Sequence, residues 1–220
     1  PPALVTTGSV DIALPPGRYR VVASRGPEHS IDDTFVEISK SRETQLELGL
    51  VRVVDTRGYV GCDLHQHTAR SFDTPTTLEQ HLAASVAEGV ECAVATERNT
   101  VVDPQPVIDK LGLGAHLRGF PGDEIASDGG RDPFGHLDVF PLALDPNDPR
   151  GGAPRARDRS PRDLLDQIRA LPGERVVQVS HPRSGARGYF ERLRFNPTTG
   201  SGDAPSYDGR FDTIEVWSGR

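Results

Sequence analysis

The hydrophobic rhythm of the chain changes near residue 58, and that change limits what it can fold into. Before it, apolar and polar residues alternate over short runs at residues 9–14, 18–24, 34–39 and 44–54. Pro15-Pro16-Gly17 and Gly26-Pro27 break these runs. Alternation with period two, punctuated by turn residues, predicts short strands with one buried face. Residues 1–57 therefore read as a small all-β unit, part of a β-sandwich. Three or four strands do not complete a sandwich alone, so further strands or packing on the next unit are expected.

From 58 to 220 strands and helices alternate, which predicts an α/β unit. Strands are expected at 59–65, 91–96, 117–125, 136–142, 176–180 and 212–217. A helix is expected over 76–88, with Thr76 or Thr77 as N-cap, Glu79 in the first turn and Leu78, Leu82 and Val86 on one face. Gly89 ends it. A short helix is expected over 105–111. Another is expected over 161–171, capped by Ser160 with Pro161 at its first position. Residues 145–160 and 185–209 read as loops. This rhythm predicts a parallel or mixed sheet, open or closed into a barrel, with function at the carboxyl ends of the strands.

Composition excludes several function classes. The net charge of −7 leaves no basic stripe for nucleic acid, and the arginines between 150 and 162 are interleaved with acidic, proline and glycine residues. No run approaches the 18 or so apolar residues of a membrane span. Cys62 and Cys92 make no disulfide framework and read as two small buried side chains in strands. The chain has no methionine, so a processed form or a fragment truncated at both ends is expected. The compartment is not fixed by sequence, although an appended sandwich slightly favours an extracytoplasmic setting.

The chemistry gathers at strand ends. In Asp63-Leu64-His65-Gln66-His67-Thr68, His65 and His67 are two apart, so on a strand both imidazoles project from one face. That is a two-toothed platform for zinc, iron or manganese. Asp73, in the following loop, either folds back to the same cluster or makes an Asx-turn before Pro75. Glu124 has a carboxylate able to bridge two ions. Its neighbour Asp123 would face the other way and reads as a turn or supporting group. His136 opens a strand, and His181 ends a buried one before Pro182. His29, His81 and His116 read as structural. No Ser/His/Asp triad and no phosphate-cradling glycine loop is legible.

As an ordered set, these motifs resemble the polymerase-and-histidinol-phosphatase (PHP) superfamily, and within it the carbaryl-hydrolase-like metallohydrolases. The resemblance rests on Asp63-Leu64-His65-Gln66-His67-Thr68, Ser71-Phe72-Asp73, Thr96-Glu97-Arg98-Asn99, Gly122-Asp123-Glu124-Ile125, Gly135-His136, Ser180-His181-Pro182 and Ile214-Glu215-Val216-Trp217. It covers roughly residues 60 to 220. It implies a distorted (β/α)7 barrel, incomplete at its C-terminus here, carrying two or three divalent ions. It implies that His65, His67 and Glu124 hold one ion, that Glu124, His136 and His181 hold a second, and that Asp73 serves a third. Two departures stand out. Glu97-Arg98 replaces the family's usual Asp-His, and the Asp that completes the first site in the family lies beyond residue 220. The first 57 residues resemble the tail of a carboxypeptidase-regulatory-like sandwich through Arg18-Tyr19-Arg20-Val21 after Pro15-Pro16-Gly17.

The expected function is metal-dependent hydrolysis of a phosphoester, ester or carbamate in a small-molecule substrate. Arg98 and Asp73 are the expected groups around the reacting centre, with Arg98 free to hold an anionic group. The alternative is a non-catalytic binding module built on a degenerate barrel. Retention of His65, His67, Glu124, His136 and His181 together favours the enzyme.

Overall fold

The computed structural model describes residue 3, residues 5–202 and residues 206–217. In the N-terminal segment, β1 (Gly17–Ala23) and β2 (Asp32–Ile38) form an antiparallel hairpin, with Gly17 opposite Ile38 and Ala23 opposite Asp32. The strands expected at 9–14 and 44–54 do not form. The second of these makes a single bridge, between His29 and Arg52, flanked by backbone hydrogen bonds from Ser30 N to Val51 O and from Val53 N to Glu28 O. The pairing extends no further into a ladder, and Val51 and Val53 stay exposed. The partial sandwich is thus reduced to one hairpin.

Two sheets of three and four strands, with a further two-stranded pair, build the rest. The first is parallel, in the order β3 (Cys62–Gln66), β4 (Cys92–Ala95), β5 (Arg118–Pro121). Its crossovers contain α1 (Leu78–Ala87) and α2 (Gln105–Lys110). Thr77 caps α1 in a reciprocal box: its hydroxyl accepts from Gln80 N at 3.2 Å, and Gln80 Oε1 accepts from Thr77 N at 3.0 Å. Leu82 and Val86 turn inward and pack with Ala93, Ile108, Leu113 and Leu117.

The second sheet runs β6 (Asp123–Ala126), β7 (His136–Phe140), β8 (Val176–Val179), with β11 (Thr213–Ile214) beyond β8. The first two pairings are antiparallel and the last is parallel. Helix α3 (Pro161–Ala170), capped by Ser160, buries Leu164, Leu165 and Ile168 against this sheet. Helix α4 (Tyr189–Arg192) and the two-residue strands β9 (Phe195–Asn196) and β10 (Ser201–Gly202) lie within the long segment before β11.

The expected (β/α)7 barrel is not formed. Three features explain this. The run 117–125 is not one strand: it breaks at Gly122, where a Cβ would stand 2.8 Å from Val94 Cγ1, and continues as β6 in the other sheet. The β6–β7 connection is a tight loop rather than a crossover helix, pinned by the Ser127 hydroxyl, which accepts from Phe134 N at 2.8 Å and Gly135 N at 3.0 Å. This sets β7 antiparallel to β6, and β8, which follows α3, pairs antiparallel with β7 as well. Finally, among the described residues no strand ladder joins β3 to β11, so the arc stays open. The architecture is mixed α/β with several small sheets.

The cysteines also differ from expectation. Cys62 and Cys92 are partners in the β3–β4 register, with Cys62 exposed and Cys92 half-buried. Burial and the neighbouring Cys62 thiol push the Cys92 pKa up to about 12. No helix is long and apolar enough to cross a membrane among the described residues.

Candidate metal centre

Glu124 is the centre of the cluster. It follows the break at Gly122, is fully buried, and stands opposite Asp138 on β7, which stands opposite Gln178 on β8. Directly opposed residues of an antiparallel ladder share a face, so these three form a row pointing inward. A parallel bridge between Arg98 and Glu124 ties the end of β4 to β6. Asn99 secures the joint: its N–H donates to Glu124 O at 3.0 Å and its Oδ1 accepts from Ala126 N at 3.1 Å.

Four imidazoles surround the Glu124 carboxylate. On Oε1, His136 Nδ1 lies at 2.8 Å, His181 Nε2 at 3.1 Å and His65 Nε2 at 3.5 Å. On Oε2, His67 Nε2 lies at 3.3 Å and Arg98 Nη2 at 3.1 Å. His65 Nε2 and His67 Nε2 are only 3.0 Å apart, so the alternation across β3 delivers the convergent pair that its spacing predicts. Asp73 does fold back. Its Oδ2 stands 3.4 Å from His67 Nδ1 and 3.3 Å from Arg98 Nη2. Thus His65, His67, Asp73, Arg98, Glu124, His136 and His181 all meet in one cluster. His181 has φ +27°, a left-handed backbone that costs a non-glycine residue energy and is found at over-determined functional positions. Glu215 Oε2 accepts from its N–H and helps to hold it there.

Glu97 does not join the cluster. Its buried carboxylate turns into the loop after β3, accepting from Thr68 N at 3.1 Å and from the hydroxyls of Thr68 and Ser71. Ser71 Oγ in turn accepts from Arg98 N at 3.0 Å. Glu97 is therefore the clamp that sets the loop carrying Asp73. Asp123 faces away from Glu124, buried with neither carboxylate oxygen hydrogen-bonded among the described residues. Burial raises its pKa well above the ordinary carboxylate value.

Three supporting groups escape a reading from sequence. Asp138 Oδ2 lies 3.5 Å from His65 Nδ1 and accepts from Gln178 Nε2 at 3.0 Å. Glu215 Oε1 lies 3.1 Å from the same His65 Nδ1. Asp128 Oδ2 lies 2.9 Å from His136 Nε2. A signal was available for Asp138, which stands two residues after His136 on one strand and so shares its face. Glu215 is a lone acid within the run Ile214-Glu215-Val216-Trp217. For Asp128, in a loop, no pattern existed.

The electrostatics follow from this crowding. Burial opposes charge on His65, but hydrogen bonds with Glu124 and Glu215 and the charge of Asp138 outweigh it and push its pKa up to about 11. Burial, aided by the nearby His65 charge, holds His67 below the usual imidazole range. Burial disfavours the Glu124 carboxylate, yet His136, His181 and His65 together hold its pKa well below the ordinary value. Asp138, fully buried beside Glu124, is pushed up to about 7.

The residues fit a divalent cation. One ligand atom from each of His65, Glu124 and His181 lies within 4.8 Å of the others, so this group can hold a metal ion. Among the described residues, His181 Nδ1 and Asp138 Oδ1 are buried without a hydrogen-bond partner, and Glu124 Oε2 and His67 Nδ1 have only ion-pair neighbours at 3.1–3.4 Å. Buried polar atoms are rarely left so, and several around one carboxylate point to a ligand. Imidazole plus carboxylate is a donor set for zinc, manganese or iron. The chain matches no protein family, no curated protein and no solved structure.

Proposed function

We propose that the protein is a metal-dependent hydrolase acting on a phosphoester, ester or carbamate of a small-molecule substrate. The observation that carries this reading is Glu124, a fully buried carboxylate with imidazole nitrogens of His136, His181, His67 and His65 within 3.5 Å. His65, Glu124 and His181 would hold an ion, and His136, backed by Asp128, would serve a second. Such a cation polarises a carbonyl or phosphoryl oxygen and acidifies water, supplying a nucleophile near neutral pH. Glu215 and Asp138 fix the tautomer and direction of His65. Arg98 adds a permanent positive charge beside the site, suited to the charge that develops on a substrate oxygen. Asp73, half-exposed, stands at the solvent side of that charge. The order of motifs resembling PHP enzymes supports the same chemistry.

The test is metal content by elemental analysis together with a screen of p-nitrophenyl esters, phosphate esters and aryl carbamates. The chain should carry zinc, manganese or iron and show turnover. The H65A/H67A double variant should lose both. A folded chain that binds no divalent cation sinks the proposal.

A further inference from the structure

Arg98 reaches its position through its backbone. The bridge to Glu124 and the Arg98 N–H to Ser71 Oγ bond fix the residue between β4, β6 and the loop carrying Asp73. Its guanidinium then does something unusual for a structural ion pair. Pairs of arginine with one carboxylate commonly use two parallel N–H···O bonds. Here a single nitrogen, Nη2, stands between two different carboxylates, 3.1 Å from Glu124 Oε2 and 3.3 Å from Asp73 Oδ2. His67 faces the same two acids, with Nε2 3.3 Å from Glu124 and Nδ1 3.4 Å from Asp73. Two carboxylates thus converge on one guanidinium nitrogen, and the His67 ring spans the same two acids, so a fixed positive charge stands where the pair would otherwise call for a cation.

We propose that Arg98 is a built-in cation that takes the place of a further divalent ion on the His67–Asp73 side of Glu124, and so caps the number of ions the cluster binds. This assignment rests on the metal-centre reading above. The division runs through the two oxygens of Glu124. Oε1 serves the side formed by His65, His136 and His181, where an ion enters. Oε2 is already neutralised by a charge that cannot dissociate, since a guanidinium stays protonated. The cluster then keeps a fixed positive charge at the mouth of the site whatever the metal supply.

The experiment counts ions. The full chain, stripped with EDTA and dialysed, is titrated with zinc alone and the tightly bound equivalents are read by native mass spectrometry and elemental analysis. R98H, R98A and R98K are treated alike, with circular dichroism as the fold check. R98H should bind one equivalent more than the wild type. R98A should bind the same extra ion more weakly and release it to millimolar guanidinium. R98K, which keeps the charge, should match the wild type. Equal counts in the wild type and in folded R98H and R98A overturn the assignment while leaving the metal centre intact. An extra ion in R98K also overturns it. No bound zinc in the wild type overturns the metal centre itself, and the assignment with it. Should R98H fail to fold, R98A with guanidinium competition decides on the same terms.

Discussion

Without metal, His65 should make the protein lose stability as pH rises, and metal should remove that loss. The imidazole has a folded-state pKa of about 11 against 6.5 when free, because Glu124, Glu215 and Asp138 crowd it. A raised pKa stabilises the fold fully below the unfolded value, and that contribution disappears as pH climbs towards the folded value. The window for His65 is therefore about pH 6.5 to 11. Within it, each pH unit removes about 1.4 kcal/mol. From pH 7.5 to 9.0 the metal-free chain should lose about 2 kcal/mol, a shift in denaturation midpoint well above error. Asp138, with its pKa raised to about 7, has largely completed its own contribution before that window opens.

The assay is urea unfolding followed by far-UV circular dichroism at several pH values, in EDTA and in excess zinc. A bound cation needs the neutral imidazole, so binding must displace the His65 proton, and apparent affinity should rise about tenfold per pH unit through this residue. The stabilisation by zinc should grow accordingly, and the two curves should separate as pH rises. H65Q should flatten the metal-free curve. A metal-free stability that is level between pH 7.5 and 9.0, or equally steep in H65Q, would refute the reasoning.

Three further outcomes are expected. E215Q, which weakens the partner 3.1 Å from His65 Nδ1, should lower zinc affinity roughly 10- to 100-fold with the fold retained, read by competition with a chromogenic chelator. G135A should destabilise by at least about 2 kcal/mol in urea unfolding. Gly135 has φ +99° and an added Cβ would stand 2.6 Å from Tyr189 N. Zinc should slow hydrogen exchange in β3 and β8 together, because His65 and His181 extend from different sheets. Protection confined to one sheet would contradict a shared ion.

Local chemistry was legible in the sequence wherever one short stretch determines it. Thr77 and Ser160 cap their helices because the side chain and the N–H it accepts from are three residues apart. His65 and His67 converge, their Nε2 atoms 3.0 Å apart, as their spacing predicts, although His67 lies one residue past β3. The candidate ligands Asp73, Glu124, His136 and His181 were read from strand ends and motif order, and they meet in space. What escaped the reading depends on contacts distant in sequence. Residues 117–125 look like one strand, and only the structure shows that the chain breaks at Gly122, packed so closely against Val94 and Val139 that a side chain would not fit, and changes sheet. No pattern in the sequence marks how residues 127–135 connect β6 to β7, where the Ser127 hydroxyl accepts from Phe134 N and Gly135 N and returns the chain antiparallel. Alternation at 44–54 carried no information about whether a partner strand exists, and none does among the described residues. Glu97 stands two residues beyond β4, and its turn towards Thr68 and Ser71 depends on a loop that sequence cannot orient.

The same kink that defeats the barrel builds the cluster. Gly122 ends the parallel sheet, and two residues later Glu124 already belongs to the antiparallel one. Its backbone is bridged to Arg98 at the end of β4, while its strand pairs with β7, which carries His136 and Asp138. A carboxylate at that point can be reached from β3, from β4, from β7 and from the end of β8 at once. A flat extension of either sheet would separate these side chains by the 4.7–4.9 Å between strands, repeated for each strand crossed. The price is a buried acid that needs partners on every side. Arg98 and the raised imidazole of His65 supply positive charge in the metal-free chain, and the other three imidazoles lie within 3.3 Å of the carboxylate. On the proposed reading, a proton and a guanidinium hold the place of divalent ions in this site, and of these only the proton can leave.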